Sequence, residues 1–338
     1  MAKKSEPSIT ITQAMMKYVD TVKLARSEHT ARAYKNALNE FSKVLVEKWL
    51  DPKTTSIEKL TENLVSAFAA YLNTFSPATE HLYLQAVKGF YEFVDSEGFT
   101  EINVSRVRVL IRLRSRRPGI RLPQFPVDDI ERMLGFVLDI KNLKITDDTN
   151  EKLRAMRDRA FLLALADTGL RVHEACNLRR GDVDWNEHRA LIVGKGNVQA
   201  VVRFTSRSLD AIREYLSLRA ALDGTSGRPL PSLPIFARHD KGAGKKVKPI
   251  TPTTGRNIVA ERVEEILGKD AVGSITPHSF RHYFVTTALQ GKGNLKLAQE
   301  LARHKNIQVT QRYAHLSDDE LDKGYYEIFE KKSNQPTE

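Results

Sequence analysis

The sequence predicts a mainly helical protein with one small β-sheet, an α+β fold divided into two domains. Its 338 residues correspond to two or three domains of ordinary length. Apolar residues recur at helical spacing through residues 10–112, and the β-branched runs that indicate strands lie further along, at 189–193 and 198–204. Between these regions, residues 113–126 contain three prolines and one glycine. Because proline stops helices, this segment is predicted to link a domain of residues 1–112 to one of residues 127–338.

The first domain is predicted to consist of four or five short helices. Within Ser27–Glu47 the apolar residues recur every three or four positions and form one stripe, made by Tyr34, Leu38, Phe41 and Leu45. Ser76-Pro77 supplies a cap and a proline at the first helical position, so a helix begins there and stops near Gly98. Further helices are predicted at Ile9–Leu24 and from Thr61 onward.

The second domain is predicted to be mixed but mostly helical. The runs Arg189–Val193 and Val198–Phe204 flank Gly194–Asn197, whose glycines suit a tight turn, so they predict a hairpin. Gly169 is placed to end a helix. Leu222–Pro234 is predicted to be a loop, and His239–Lys248 a loop or a second hairpin. The predicted helices are Asp128–Ile140, Glu151–Asp167, Val172–Arg179, Ser208–Ala221, Thr253–Leu267, residues 277 to about 290, Leu295–Arg303, and a last helix from the capping box at 317–320 to about Glu330.

The charge balance is strongly basic. Lys and Arg total 53 against 42 Asp and Glu, which gives a net charge of +11 and an isoelectric point near 9.5. Both predicted domains contribute to the excess, so a single charged tail does not explain it. A basic protein of otherwise ordinary composition most often binds a polyanion, usually nucleic acid.

Several classes of protein are excluded by the sequence. The longest purely apolar stretch, Phe161–Ala166, is far shorter than the roughly 20 residues that a membrane span needs. The charged start of the chain lacks the apolar segment of a secretory signal. Cys176 is the only cysteine, so neither an intrachain disulfide nor a Cys-rich zinc site can form. We therefore expect a cytoplasmic, nucleoid-associated protein without a membrane partner.

The candidate DNA contacts lie on two helix faces and in an arginine-rich stretch. Residues 102–121 contain seven arginines and no acidic residue. Charges of this kind are often only solvated, and the stretch also fits a solvated linker. Contact with phosphates or with a groove is the competing interpretation. The candidates are His29, Arg32 and Lys35 on one helix, His81, Gln85 and Lys88 on another, and Arg112, Arg114, Arg116 and Arg117 in the basic stretch.

The second domain contains side chains that suit chemistry on a phosphate. His278 and Arg281 lie three residues apart, on one face of a helix that Thr276 caps. Arg171 precedes a helix, and Glu174 is placed to hold its guanidinium, which would then bind a phosphate in bidentate fashion. The remaining candidates are Lys195 at the predicted hairpin tip, and His304 and Tyr313, nine residues apart.

Each candidate alone also has an ordinary structural interpretation. The Arg171–Glu174 pair could be a surface salt bridge, worth only a few tenths of a kcal/mol, and Tyr313 is one of ten tyrosines. Together they form the set that metal-free phosphoryl transfer requires. Arginines neutralise the phosphate, a tyrosine attacks phosphorus, a lysine protonates the leaving oxygen and histidines assist. Carboxylate clusters for two-metal chemistry are not evident, so we expect neither a metal nor another cofactor.

The order and spacing of these motifs resemble the tyrosine recombinase (phage integrase) family. The matching segments are TGLRVHEACNLRRGDVDW, GKGN between two strands, HSFRH, LARH and a tyrosine nine residues after the last histidine. They span about residues 168–315, and five separate motifs in this order are a specific match. The helical part before them resembles the family's SAM-like core-binding domain, and the general arrangement is similar to that of Xer-type enzymes.

The resemblance implies a site-specific DNA recombinase that needs neither metal ions nor ATP. Tyr313 would attack a DNA phosphodiester and form a 3′-phosphotyrosine, and the other active-site residues would be Arg171, Lys195, His278, Arg281 and His304. The resemblance also implies a C-shaped clamp on duplex DNA and a homotetramer that exchanges strands through a Holliday junction. Exchange of a C-terminal helix at about 318–331 would join the tetramer, and accessory proteins could take part.

Two residues depart from the family pattern. The usual Leu-Gly-His reads Ala302-Arg303-His304, and His173 stands where a small or hydroxyl residue is common. Arg303 would add a phosphate contact or crowd the turn. Neither change removes a catalytic group, so activity is expected. Three other interpretations stay open: a DNA-binding regulator that does not cut, a type IB topoisomerase or telomere resolvase, and a helical protein–protein adaptor.

Overall fold

The structure is a computed structural model that describes residues 9–116, 126–143, 147–194, 198–240, 242–244, 246–292, 294–311 and 313. The chain divides into two compact units, Met1–Arg121 and Leu122–Glu338, each with its own hydrophobic core. The break between them lies within the Pro-containing segment 113–126. In the described ranges, no helix combines the length and the apolar character that crossing a membrane requires.

The described part of the first unit is built from five α-helices. Side-chain caps determine where four of them begin, because an oxygen of Thr10, Ser27, Ser76 or Asn103 accepts a backbone N–H of the first turn. The stripe predicted for the second helix is buried, and its Phe41 lies in an aromatic core. The helices are α1 (Ile11–Ala25), α2 (Glu28–Glu47), α3 (Asn63–Tyr71), α4 (Pro77–Ser96) and α5 (Val104–Arg114).

Helix α5 continues two residues into the segment that was predicted to be the linker. The first proline after its start is Pro118, so no residue in α5 lacks the backbone donor that a helix needs. The Ser115 N–H still donates to the Ile111 carbonyl at 2.8 Å. The helical part of this unit therefore ends later than the predicted boundary at residue 112.

The described part of the second unit combines nine α-helices with a three-stranded antiparallel sheet. Strands β1 (Val183–Asp184), β2 (Arg189–Val193) and β3 (Gln199–Arg203) are adjacent in that order, with Leu191 opposite Val201. The predicted hairpin is thus present, and residues 195–197 between its strands lie outside the described ranges. The helices are α6 (Val127–Leu138), α7 (Thr149–Thr168), α8 (Val172–Asn177), α9 (Ser206–Leu218), α10 (Ala220–Gly224), α11 (Pro252–Leu267), α12 (Pro277–Lys292), α13 (Leu295–Ala302) and α14 (Ile307–Gln311).

Helix α7 forms the centre of the second unit and packs against α9 and α12. All its residues from 155 to 166 are buried, including charged ones. Those charges are paired: Arg157 lies 2.7 Å from Asp158, and Arg159 lies 2.7 Å from Glu214. Because a buried charge is costly unless it is paired, these contacts let α7 run through the core and end at the turn that leads to Arg171.

Several boundaries differ from the predictions for local reasons. Helix α8 ends at Asn177, two residues before its predicted end, because a 3₁₀ turn follows at 180–182. Helix α9 is capped by Thr205 and begins at Ser206, two residues before its predicted start. Helix α10 occupies the beginning of the predicted loop 222–234. Strand β1 and helix α14 are too short to show a periodicity in sequence. Residues 239–248 form no strand in their described part, and the predicted last helix at 317–330 lies outside the described residues.

Candidate active site

A tight turn after α7 brings Arg171 to the site. Gly169 ends the helix with φ 58°, in the left-handed region that glycine adopts without strain, which confirms its predicted role as a cap. A Cβ at this position would lie 2.5 Å from Cδ1 of Phe284, so close packing also favours glycine. Arg171 follows at the N-cap of α8.

Glu174 holds Arg171 through both carboxylate oxygens. Its Oε1 accepts from Arg171 Nη1 and its Oε2 from the Arg171 backbone N–H, each at 2.9 Å. The Glu174 side chain is 1% exposed and that of Arg171 is 39% exposed. Burial would raise the pKa of Glu174, but the Arg171 N–H and the charges of Arg303 and Arg171 outweigh it and hold this pKa below its ordinary value. The pair is therefore an anchored guanidinium with an accessible face, unlike an ordinary surface salt bridge.

Arg281 lies at the centre of the site and is only 3% exposed on α12. Its Nη1 donates to the Gly169 carbonyl at 2.5 Å and its Nη2 donates to the Ala302 carbonyl. One guanidinium thus joins the turn after α7 to the end of α13. Burial and the charges of Arg171 and Arg303 lower the pKa of Arg281 to about 10, which leaves it charged at neutral pH. Burial, Arg281 and Arg171 also lower the pKa of His278, as expected for a histidine beside both arginines.

His304 lies on the turn that follows α13. Its Nδ1 is 2.9 Å from Oγ1 of the fully buried Thr310, which orients the ring. Burial and the charges of Arg281, Arg171 and Arg303 lower the pKa of His304 to about 4. The ring is therefore neutral at neutral pH, with one nitrogen as donor and one as acceptor.

Tyr313 contacts His282, a histidine outside the set of candidates predicted from sequence. The Tyr313 hydroxyl lies within hydrogen-bonding distance of His282 Nδ1, and the two ring centroids are 5.3 Å apart. His282 packs edge-on against His278, with 4.2 Å between centroids. Burial, then His278 and Arg281, lower the pKa of His282 to about 4. Its place at the end of the HSFRH motif was the signal that could have identified it.

The end of strand β2 lies beside Glu174. The Gly194 N–H donates to the Val198 carbonyl at 2.8 Å, and a Cβ at Gly194 would lie 3.8 Å from Glu174 Oε1. Lys195, the predicted proton donor, follows Gly194 directly and lies outside the described residues. The hairpin therefore approaches the carboxylate that holds Arg171.

Arg303 keeps the backbone that the usual glycine would adopt. Its φ of 57° and ψ of 43° lie in the left-handed region. The side chain lies inside the site and is 11% exposed, with Nη2 at 3.2 Å from both Glu174 Oε2 and the Gly169 carbonyl. The sequence marked this residue as a departure but did not predict these partners. His173, the other departure, is half-exposed on α8.

Most of the predicted DNA contacts lie on the surface of the first unit. His29, Arg32 and Lys35 are exposed on α2, and His81 is exposed on α4. Gln85 and Lys88 on α4 are half-buried. Arg112 and Arg114 are exposed in the last turn of α5, and Arg117 lies outside the described residues.

Arg116 differs from its predicted role as a phosphate contact. Its Nε donates to Glu80 Oε2 at 2.5 Å, its backbone N–H to Glu80 Oε1 at 2.8 Å, and its Nη2 to the Phe75 carbonyl at 2.6 Å. Glu80 is fully buried, and a buried carboxylate needs a partner. Arg116 therefore neutralises a charge inside its own unit, a pairing across 36 positions that local spacing does not reveal.

Comparison with known proteins identifies the family of this chain. The model of the phage integrase family matches residues 138–320, and that of the phage integrase N-terminal SAM-like domain matches residues 16–98. The chain belongs to the phage integrase family. Among curated relatives, tyrosine recombinase XerC of Pelobacter propionicus is 31% identical over 302 residues, which cover 87% of each chain. XerC of Thermodesulfovibrio yellowstonii is 28% identical over 304 residues, covering 88% of this chain and 90% of that one.

Solved structures share the fold at low sequence identity. XerH site-specific recombinase, in a post-cleavage complex with palindromic difH substrate, has a TM-score of 0.67 at 16% identity, covering 94% of this chain and 95% of that one. The Tn1549 transposon integrase with transposon right end DNA has a TM-score of 0.66 at 14% identity, covering 95% and 100%. The predicted α+β recombinase fold is confirmed. With the family match, the chain is a site-specific DNA recombinase, an enzyme that breaks and rejoins DNA.

Proposed function

We propose that Tyr313 is the nucleophile of this recombinase and that Arg171, His278, Arg281 and His304 form the phosphate site around it. The observation that carries the proposal is the convergence of these side chains, from four separate stretches of sequence, on one site of the second unit. The substrate is a double-stranded DNA recombination site. The two arginines neutralise the non-bridging oxygens of the attacked phosphate, where negative charge increases in the transition state.

The proton of the Tyr313 hydroxyl passes to His282 Nδ1 as the tyrosine oxygen bonds to phosphorus. The contact between these two atoms and the neutral state of His282 support this role. The bond from phosphorus to the 5′ oxygen then breaks, and Lys195 donates a proton to that oxygen. A 5′-hydroxyl of the partner strand reverses these steps, through a Holliday junction. The 3′-phosphotyrosine retains the energy of the broken bond, so the reaction consumes no ATP.

Covalent trapping tests the proposal. A duplex that the unchanged chain binds is first selected from a pool of random sequences; this DNA is the selected duplex. A nick is placed in the cleaved strand at successive positions. When the nick lies just after the cleavage point, the short fragment between them carries the 5′-hydroxyl and dissociates. Religation is then prevented, so the adduct accumulates. We expect an SDS-resistant adduct with Tyr313 on a 3′-phosphate. An adduct through another residue, or none on DNA that the protein binds, would contradict the assignment.

His282→Ala is expected to slow adduct formation by about 10²-fold, because the tyrosine loses its proton acceptor. The pKa of His282 is about 4, so its ring stays neutral in the unchanged chain and the rate varies little from about pH 6 to 8. In the variant the proton passes to water or hydroxide, so the rate rises with pH. His282→Gln keeps a hydrogen bond but accepts no proton, so it should show the same slow, pH-dependent rate as His282→Ala. A variant rate that stays flat with pH would rule out this role.

We assign duplex contact outside the active site to exposed and half-buried polar side chains of the first unit. His29, Arg32 and Lys35 on α2 and His81, Gln85 and Lys88 on α4 suit a groove or its phosphates, and Arg112 and Arg114 suit the backbone. Phosphate contacts position a protein without reading sequence, whereas side chains in a groove read it. These assignments require that both units contact the same duplex.

We further propose a homotetramer on DNA, joined by exchange of the C-terminal helix at about 318–331. Tyr325, Tyr326, Ile328 and Phe329 supply the apolar face in the sequence. Deleting residues 318–338 should abolish cooperative tetramer assembly and preserve binding of one protomer to a half-site, because the helix would dock on a neighbouring copy. Mass measurement of the protein–DNA complexes provides the readout. Cooperative tetramers of the truncated chain would refute the exchange.

A further inference from the structure

We propose that Arg303 is a positioning residue that links the two catalytic arginines and adds a third positive charge to the phosphate site. This inference rests on the proposed function, because it concerns the same phosphate. Arg303 stands where the family pattern has a glycine, so the role is specific to chains that carry the change.

Arg303 shares one hydrogen-bond acceptor with each catalytic arginine. Glu174 accepts from Arg171 Nη1 through Oε1 and from Arg303 Nη2 through Oε2. The Gly169 carbonyl accepts from Arg281 Nη1 at 2.5 Å and from Arg303 Nη2 at 3.2 Å. A displacement of Arg303 would therefore change the hydrogen bonding of both catalytic guanidiniums. Arg281 also donates to the carbonyl of Ala302, the residue before Arg303, so the backbone and the side chain of this turn act on the same group.

The positive charge of Arg303 changes the electrostatics of the site. The charges of Arg171 and Arg303 both contribute to the lowered pKa of Arg281, so the three guanidiniums repel one another. Among the described side chains, three guanidiniums and the single Glu174 carboxylate leave a positive excess that matches the two negative charges of a pentacovalent phosphate. Without Arg303 that excess is half as large. The repulsion is relieved when the phosphate gains charge, so the effect is greater in the transition state than with bound DNA alone.

Two further observations indicate that Arg303 has a role other than packing, because both are unfavourable for the stability of the fold. Its Nε is buried and makes no hydrogen bond to any residue in the described ranges. A buried donor without a partner is unfavourable unless a ligand supplies one. Its backbone lies in the left-handed region, which is strained for arginine and unstrained for glycine. The residue thus combines a strained backbone with a mostly buried guanidinium whose Nε lacks a hydrogen bond within the described ranges, a combination that is typical of functional sites.

The test compares variants that suit the backbone but differ in charge. Arg303→Gly and Arg303→Asn tolerate the left-handed conformation and carry no charge, so both should fold, and thermal unfolding checks this. Arg303→Lys keeps the charge without the planar fork. Single-turnover adduct formation is measured on the nicked selected duplex with a normal scissile phosphate, and again with a methylphosphonate there, which removes one negative oxygen. We expect the uncharged variants to lose at least about tenfold in rate on the phosphate, and Arg303→Lys to recover part of it.

On the methylphosphonate the deficit should shrink to less than about threefold, because the transition state carries less charge to neutralise. An equal deficit on both substrates would show a merely structural role, and no deficit on either would show that Arg303 is dispensable. Either result overturns the inference. Tyr313→Phe and the unchanged chain run in parallel. An adduct of the unchanged chain through Tyr313 upholds the proposed function whatever the Arg303 variants do, whereas its absence overturns both.

Discussion

Tyr313→Phe is expected to abolish the covalent DNA adduct and to leave DNA binding within about twofold of the unchanged chain. The substitution removes the only atom that would bond to phosphorus. The ring is retained, so its packing against the α12–α13 cluster of Val285, Leu289, Ala298 and Ala302 persists. The lost hydrogen bond to His282 is worth about 1 kcal/mol, too little to unfold a domain. Adduct formation is measured on the nicked selected duplex, and binding by gel shift on the same DNA.

Tyr283→Phe provides the matched control for this prediction. Tyr283 lies on α12, two residues from Arg281, and is half-buried against the main core. Removing its hydroxyl tests the effect of losing a tyrosine oxygen close to the site without touching the proposed nucleophile. We expect an unchanged adduct rate. A Tyr313→Phe protein that still forms the adduct would transfer the nucleophile role to another side chain and contradict the central assignment.

The local parts of the site were predictable from sequence because they depend on neighbours a few positions apart. Gly169 as a helix cap and Glu174 as the partner of Arg171 follow from spacing and backbone preference. His278 and Arg281 share a helix face for the same reason. The β2–β3 hairpin follows from two β-branched runs around glycines. Each of these inferences needs only the geometry of one turn or one helix.

The contacts between residues far apart in the chain could not be predicted from local sequence. Arg281 contacts carbonyls 112 and 21 positions away, and Arg116 pairs with Glu80 across 36 positions. Such contacts depend on how helices pack, which periodicity does not specify. Arg303 was visible as a departure from a pattern, but its inward direction follows from a left-handed backbone that arginine rarely adopts. The role of Lys195 and the C-terminal helix stay predictions, since both lie outside the described residues.

Arg281→Lys and Arg281→Ala are both expected to slow adduct formation by at least about 10²-fold, equivalent to about 2.7 kcal/mol or more of transition-state stabilisation. Lysine keeps the charge, but its compact ammonium lacks the planar fork that donates to the Gly169 and Ala302 carbonyls while facing a phosphate. Alanine in addition leaves both carbonyls without that donor. The alanine variant should therefore lose more of the adduct-formation rate than the lysine variant, and part of that loss should come from lower stability of the folded protein.

The comparison between the two variants separates charge from geometry. Arg281 is one of the charges that lower the pKa of His304 and of His282, so alanine should raise both pKa values and lysine should raise them less. Thermal unfolding and DNA affinity are measured beside the adduct rate, so that a rate loss in folded, DNA-bound protein reports on chemistry. Arg213→Lys on α9, where the arginine is 45% exposed and pairs with Asp210, controls for the substitution itself. If Arg281→Lys kept more than about a tenth of the rate, a point charge would suffice and the fork geometry would not be required.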